Sequence, residues 1–518
     1  MRNTRIMLFI AMLPLIGLSG NAQEKIDTAI MARIREEGLH HSQVRSIAHE
    51  ITDVAGPRLT NSPGFRRAAG WIVNTLGQWG LKNAQTEPWG VFGNGWSVEK
   101  SYAALHAPYY SSLIAYPAPW SGSTAGPVSA PVMVLDKMDS AYIFEHASSF
   151  KGKILLIKTP DRVLRSDFTA DGSRYTDSAL AKLGDTYMIS PEMLKFFVPQ
   201  LLNKIKLQQM IRDAGPVAIL EQSGNRDGTV EVDGFGGYKQ KDQPAIARLI
   251  LSKEDCQRIQ RLTEGGTEVV LDLDIRTKFW GDDLQGRNVI GEIPGTDPGL
   301  RSQVVMLGGH LDSWNSATGA TDNGAGVIVA MEAVRILKAI GIQPKRTIRI
   351  GLWDGEEQGL LGSFHYVKNH YGNPADMKLK GEQAKISAYF NLDNGSGKIR
   401  GIYAQGNTQA APIFQGWLEP FRDLGATTVT LHNTGSTDHL SFDAVGIPGF
   451  QFIQDPLDYE SRTHHTNMDN YDHLLPDDLQ QAAVILAAFV YNTAMRTEML
   501  PRKPLPKPEK FIFEDFLP

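Results

Sequence analysis

One cysteine, Cys256, stands in a chain of 518 residues. Intramolecular disulfides are therefore excluded, and so is any thiolate-rich metal site. A metal centre here would have to be built from histidine, aspartate and glutamate, as many catalytic zinc sites are. Basic runs are also missing. The formal net charge is −5, and no basic patch is interleaved with aromatics, so nothing asks for nucleic acid as a partner. Beyond the N-terminus no apolar run approaches the ~20 residues that span a bilayer. Hydrophobic residues at 42% and charged residues at 21% are ordinary for a globular protein. A chain of this length can rest on a large core in place of disulfides.

The N-terminus reads as a targeting segment. Arg2 and Arg5 precede an apolar run at 6–18, and Gly20-Asn21-Ala22 fits a small-x-small cleavage pattern. A run of about 13 residues is shorter than a membrane anchor. Residues 1–22 are therefore read as a signal peptide, and the chain as exported, periplasmic or secreted. No cysteine follows the run, which excludes a bacterial lipoprotein anchor.

Residues 26–51 are spaced for a helix, and Gly56-Pro57-Arg58-Leu59 for a turn. Ser62-Pro63 opens a second helix, 64–79, that Gly80 ends, and 81–89 reads as a strand. From about 100 to 278 short alternating strands dominate (131–135, 152–157, 217–220), with one helix at 193–214. This stretch reads as an inserted β-rich domain without a catalytic constellation. From Gln285 onward strands (304–308, 347–353, 386–392, 427–431, 449–453) alternate with helices (323–340, 360–370, 409–424, 477–494). That alternation predicts an α/β fold with a mostly parallel twisted sheet and helices on both faces. The expected division is 1–22 signal peptide, 23–100 with 279–500 a discontinuous catalytic domain, 101–278 the insert, and 501–518 a proline-rich tail. Phe511, Phe513 and Phe516 would pack that tail as an extended arm.

In open α/β sheets ligands bind at the carboxyl ends of the strands. Four expected strands lead there into residues able to hold a metal: His310, then Glu356-Glu357, then Asp393, then the loop with His464-His465. Asp322 precedes the central helix, where backbone N–H groups favour an anion. Each piece alone is weak. A His-x-Asp triplet is common by chance, a Glu-Glu pair is usually solvated, and Asp-Asn-Gly is usually a turn. Their joint occurrence at successive strand ends points to a metal site. The residues alone assign neither which glutamate nor which of the two histidines would be the ligand.

His310-x-Asp312, Thr321-Asp322-Asn323-Gly324-Ala325, Trp353-x-x-Glu356-Glu357-x-Gly359, Asn391-x-Asp393 and His465-Thr466-x-x-Asp469 resemble peptidase family twenty-eight, the co-catalytic di-zinc exopeptidases. The resemblance covers roughly 56–81 and 285–491. KGKILLIKTP followed by IRDAGPVAILEQ resembles the protease-associated domain that many members carry. The resemblance implies two Zn²⁺ ions per chain. His310 and Asp393 would hold one, Glu357 and His465 the other, and Asp322 would bridge them. It makes Glu356 the general base for a metal-bridged hydroxide, and Asp312 the partner of the other His310 ring nitrogen. Asp469 would support the His465 loop. Threonine after the ligand and aspartate four positions on select His465, leaving His464 on the pocket wall. Ser436-Thr437-Asp438-His439-x-x-Phe442 is similar to a site-lining motif, with Thr437 as a departure. Asp438 or His439 would then meet a substrate terminus or the oxyanion, and Tyr459 is a further oxyanion-donor candidate. The implied activity is removal of terminal residues from peptides or dipeptides, as an aminopeptidase or a carboxypeptidase Q-like dipeptidase. The rivals are a non-catalytic peptide-binding protein on the same scaffold and a one-zinc, glutaminyl-cyclase-like acyltransferase.

Overall fold

The structure, a computed structural model, describes residues 24, 26–160, 170–234, 236–239 and 245–511. The expected signal peptide, Phe513 and Phe516 lie outside the described residues. Two eight-stranded sheets organise the rest.

The first sheet runs in the order Lys82–Val91, Gln285–Ile293, Thr347–Trp353, Val304–His310, Ile386–Asn391, Gly449–Gln454, Ile399–Tyr403, Thr428–Thr430. Its central four strands are parallel. The Val304–His310 strand is buried at every position, as a strand covered on both faces must be. Val305 and Leu307 pack with the helices Ala325–Ala339 and Pro476–Met495, while Val304 and Met306 pack with Leu361–His370 and His439–Asp443. Helices thus cover both faces of a parallel core, as expected from the alternation. Antiparallel strands flank that core, Gln285–Ile293 on one side and Ile399–Tyr403 on the other.

Close packing sets where the elements sit. A Cβ on Gly308 would lie 1.7 Å from the Gly351 carbonyl oxygen of the neighbouring strand, and one on Gly326 would lie 2.2 Å from the Leu392 carbonyl oxygen. The second glycine lets the central helix start directly against the end of the Ile386–Asn391 strand.

Several boundaries differ from those expected. Residues 26–51 form two helices, Thr28–His40 and Val44–His49, separated by His41 to Gln43, and Glu50–Val54 continues as a π-helical turn. The central helix begins at Ala325. Asp322 (φ −123°, ψ 97°) and Asn323 (φ −119°, ψ 44°) are not helical, and the Asn323 side chain accepts the Gly326 N–H. The expected helix 409–424 is an α-helix only over Ala411–Leu418. It tightens into a 3₁₀ turn at Glu419–Leu424, where Pro420 offers no donor.

The second sheet uses residues between Gly95 and Trp280. The long strands Gly95–Ala107 and Val270–Trp280 pair antiparallel along their length, so the chain enters and leaves side by side. Val128–Leu135, Ile154–Ile157, Ala218–Gln222 and Ala247–Leu251 form a parallel group. The helix Pro191–Asp213 starts at a Ser190 cap. The helices Ser140–Phe150 and Lys253–Glu264 were not expected. Among the described residues no helix is long and apolar enough to cross a membrane.

Candidate metal centre

All four central parallel strands end at one place. His310 closes its strand and pairs in register with Trp353, which brings the following turn, Asp354 to Glu357, alongside it. Asp393 lies two residues past the Ile386–Asn391 strand, and His465 lies in the loop after Gly449–Gln454. Asp322 projects from the non-helical entry to the central helix.

The backbone around these side chains is held by other carboxylates. Asp312 accepts the Glu356 N–H on Oδ1 at 3.2 Å, and the Glu357 N–H on Oδ2 at 3.3 Å. The Thr60 hydroxyl donates to Oδ2 as well. His310 Nδ1 is 3.0 Å from the Asp312 carbonyl oxygen and 3.5 Å from its Oδ1. Asp312 thus meets the imidazole through its backbone oxygen and, less closely, through its carboxylate, which also holds the glutamate turn. Asp469 accepts the Thr321 N–H at 2.6 Å, the Thr321 hydroxyl at 2.7 Å and the Asp322 N–H at 3.0 Å. It fixes the Asp322 loop as well as closing the His465 segment.

The distances sort the donors into two groups that share Asp322. His310 Nε2 is 3.3 Å from Asp322 Oδ1 and 3.3 Å from Asp393 Oδ1. His465 Nε2 is 3.2 Å from Asp322 Oδ2 and 3.0 Å from Glu357 Oε2. A tetrahedral ion with bonds of about 2.1 Å sets its ligand atoms roughly 3.4 Å apart, so these spacings fit a metal. Asp322 Oδ2 and Glu357 Oε1 are buried without a well-aligned hydrogen bond. Buried carboxylates in this state call for a cation. Glu356 stands slightly aside, its Oε2 3.9 Å from His310 Nε2.

Burial and mutual charge set the proton affinities. Burial opposes a charge on His310, but Asp393 and Glu356 outweigh it and hold the imidazole well above the ordinary histidine range. Burial likewise opposes ionisation of Asp322, and His310 and His465 overcome it, drawing the carboxyl well below its usual range. Glu356 is pushed well above the carboxylate range by burial, with Asp393 adding to the shift and His310 opposing it.

His464 reaches Asp322 Oδ2 only at 3.8 Å and stacks on the His465 ring at 3.9 Å between centroids. Tyr459 lies against His464 and lines the same cavity as Glu356, Asp393 and His465. Asp438 and His439 are fully buried and do not line it. His439 Nε2 is spent on the Thr434 carbonyl oxygen, 3.0 Å away, and on Gln405. The expected substrate contact of His439 is corrected accordingly, whereas Asp438 stays within electrostatic reach of His310 and Asp393. The short helix His439–Asp443 turns the His439 side chain behind the wall, while Thr437, Leu440 and Ser441 line the cavity.

Sequence reasoning missed Arg58. It is fully buried beneath the site and donates to the carbonyl oxygens of Ile51, Leu311, Thr318 and Gly319. Burial lowers its guanidinium to about 10 against the pull of Asp469 and Asp312. A buried arginine inside a Gly-Pro-Arg-Leu turn carries no signal in the chain. Also missed was the reach of the connection between the second sheet's strands Ala218–Gln222 and Ala247–Leu251. The Val232 N–H donates to the His465 carbonyl oxygen at 2.8 Å, and the Val230 N–H to Asn467 Oδ1 at 2.7 Å. These bonds brace His465, whose φ of 59° is in the left-handed region. The adjoining cavity of about 750 Å³ draws walls from the first sheet, from residues 187–195 and from the tail at 506–511.

The sequence model of peptidase family M28 matches residues 288–490, a span that contains every donor named above. The chain belongs to peptidase family M28. It is accordingly a metallopeptidase. Carboxypeptidase Q of Homo sapiens is 27% identical to this M28 chain over 458 residues, covering 87% of it and 85% of the relative. The crystal structure of a peptidase M28 precursor from Shewanella amazonensis is 25% identical, with a TM-score of 0.66 over 92% of this chain and 98% of that one. A zinc aminopeptidase from Bacillus subtilis shares the fold at 21% identity, with a TM-score of 0.54 over 88% of this chain and 94% of that one. Arg58, the second sheet's bracing loop and the tail all lie outside the matched span.

Proposed function

We propose that this M28 peptidase is an exported zinc exopeptidase that uses two Zn²⁺ ions to hydrolyse terminal bonds of peptides or dipeptides. The observation that carries the reading is Asp322. Its two oxygens face two different histidine–carboxylate pairs at 3.3 and 3.2 Å. His310 and Asp393 would hold one ion with Oδ1, and His465 and Glu357 the other with Oδ2. Zinc bound there polarises a peptide carbonyl and renders a water acidic enough to ionise near neutral pH.

The chain's own groups do the rest. Glu356, set aside from both donor groups, takes the proton of the attacking water on its carboxylate and returns it to the departing amine nitrogen. Tyr459, which lines the cavity, would donate to the oxygen that gains charge. Asp312 and Asp469 hold the Glu356 turn and the Asp322 loop through backbone amides. A cavity of about 750 Å³ bounded by residues 187–195, an arm that leaves the second sheet between its strands Ile154–Ile157 and Ala218–Gln222, and by the tail suits a short peptide end. Residues 23–100 with 279–500 are read as the catalytic domain, 101–278 as a protease-associated-like insert, and 1–22 as the export signal.

Metal analysis joined to assays on dipeptides, aminoacyl amides and blocked peptides tests this. The wild type is expected to hold two zinc ions per chain and to cleave substrates with a free terminus. Glu356→Gln is expected to keep both ions and lose roughly a hundredfold to ten-thousandfold in turnover. Near-wild-type activity in that variant would remove Glu356 from the chemistry. One tightly held zinc without peptide hydrolysis would favour the acyltransferase rival, and intact zinc without turnover on any substrate the binding-protein rival.

A further inference from the structure

We propose that the C-terminal tail is a specificity element: with the arm of the second sheet it forms an apolar subsite that selects substrates with a bulky apolar side chain beside the scissile bond. The inference rests on the exopeptidase reading and deepens it. The cavity next to the metal-capable cluster is lined by Met188, Ile189, Leu360, Phe364, Leu440 and Phe511. Met188 and Ile189 are 46% and 44% exposed, so they are apolar groups held at a surface and not part of a core. Apolar side chains gathered around a cleft mark a contact site.

Both outer walls are built in advance. The tail is tied down along its course. The Leu500 N–H donates to the Ser387 hydroxyl. Arg502 donates to the carbonyl oxygens of Gly446, Gln383 and Ile386. Lys503 Nζ meets Asp443 and the Gln405 carbonyl at 2.8 Å each, and the Glu509 N–H reaches the Pro374 carbonyl at 3.0 Å. At its end Phe511 lies flat on Phe364, with centroids 3.9 Å apart and planes within 11°. The arm is anchored as firmly. The Gly435 N–H donates to the Thr186 carbonyl, and the Ser436 hydroxyl to the Tyr187 carbonyl. The Tyr187 hydroxyl donates to Glu460 at 2.7 Å. A Cβ on Gly435 would come within 2.4 Å of the Tyr187 carbonyl oxygen, so the arm closes directly onto this loop. Neither wall belongs to the span that the M28 model matches.

The test is kcat/KM on X-Gly and Gly-X dipeptides, with X as alanine, leucine or phenylalanine, for wild type, Phe511→Ala, Phe511→Leu and Met188→Ala. Wild type is expected to favour leucine or phenylalanine over alanine at one of the two positions. Phe511→Ala and Met188→Ala should each cut that preference about tenfold, the scale on which a pocket reads a few apolar carbons. Phe511→Leu should keep most of it. If Phe511→Ala does not fold, Phe511→Leu and Met188→Ala decide the matter. A preference left intact in the folded alanine variants overturns the subsite, as does a wild type that cleaves dipeptides without favouring apolar residues. A wild type that cleaves no peptide terminus overturns the parent reading instead.

Discussion

Asp322 is the residue on which the centre turns, because one carboxylate serves two donor groups. His465 completes the group on its Oδ2 side, and His464 stacks beside it 3.8 Å from the same oxygen. The difference is one of reach, since His465 also meets Glu357 at 3.0 Å. His465→Ala should therefore lose close to one zinc per chain while His464→Ala keeps both, as read by metal quantitation after gel filtration. Loss in the His464 variant alone would move the ligand by one position. The donors could be found in the sequence because each follows a recognisable strand or opens the central helix. His439 misled because its direction depends on how the helix His439–Asp443 seats against Gly449, where a Cβ would lie 2.4 Å from the His439 carbonyl oxygen. No local pattern encodes that contact.

Among the elements, the loop bearing His465 is held from outside its own sheet. Asn467 joins it to the second sheet, accepting from the Val230 N–H and donating from its own backbone N–H to the Val230 carbonyl oxygen at 3.0 Å. Groups that orient a ligand from behind typically alter metal affinity by about 10–100-fold when removed. Asn467→Ala should weaken zinc binding on that scale in a competition titration against a chromophoric chelator, with the unfolding temperature little changed. Unaltered affinity would mean that the loop holds its shape unaided. The strands of the parallel core were legible from their apolar runs. The Ile399–Tyr403 strand and this inter-sheet bracing were not, because pairing partners far apart in the chain leave no local periodicity.

Taken whole, the molecule gathers its donors from His310 to His465, on strands that meet only once the sheet is complete. Its α/β character was legible from the alternation of runs, whereas the tail's course along the cavity was not. That course depends on Arg502 finding three carbonyl oxygens on distant segments. The wide spacing of the donors also sets an order of events. An ion cannot gather such separated ligands in an unfolded chain without paying the entropy of closing several long loops, whereas the apolar core needs no ion to form. Assembly should therefore run from sheet to site, with zinc captured last by a ready-made fold. Protein refolded in the presence of a chelator, then dialysed and given zinc, should regain full activity within the time of metal binding. Recovery only when zinc is present throughout refolding would instead make the ion part of the folding nucleus.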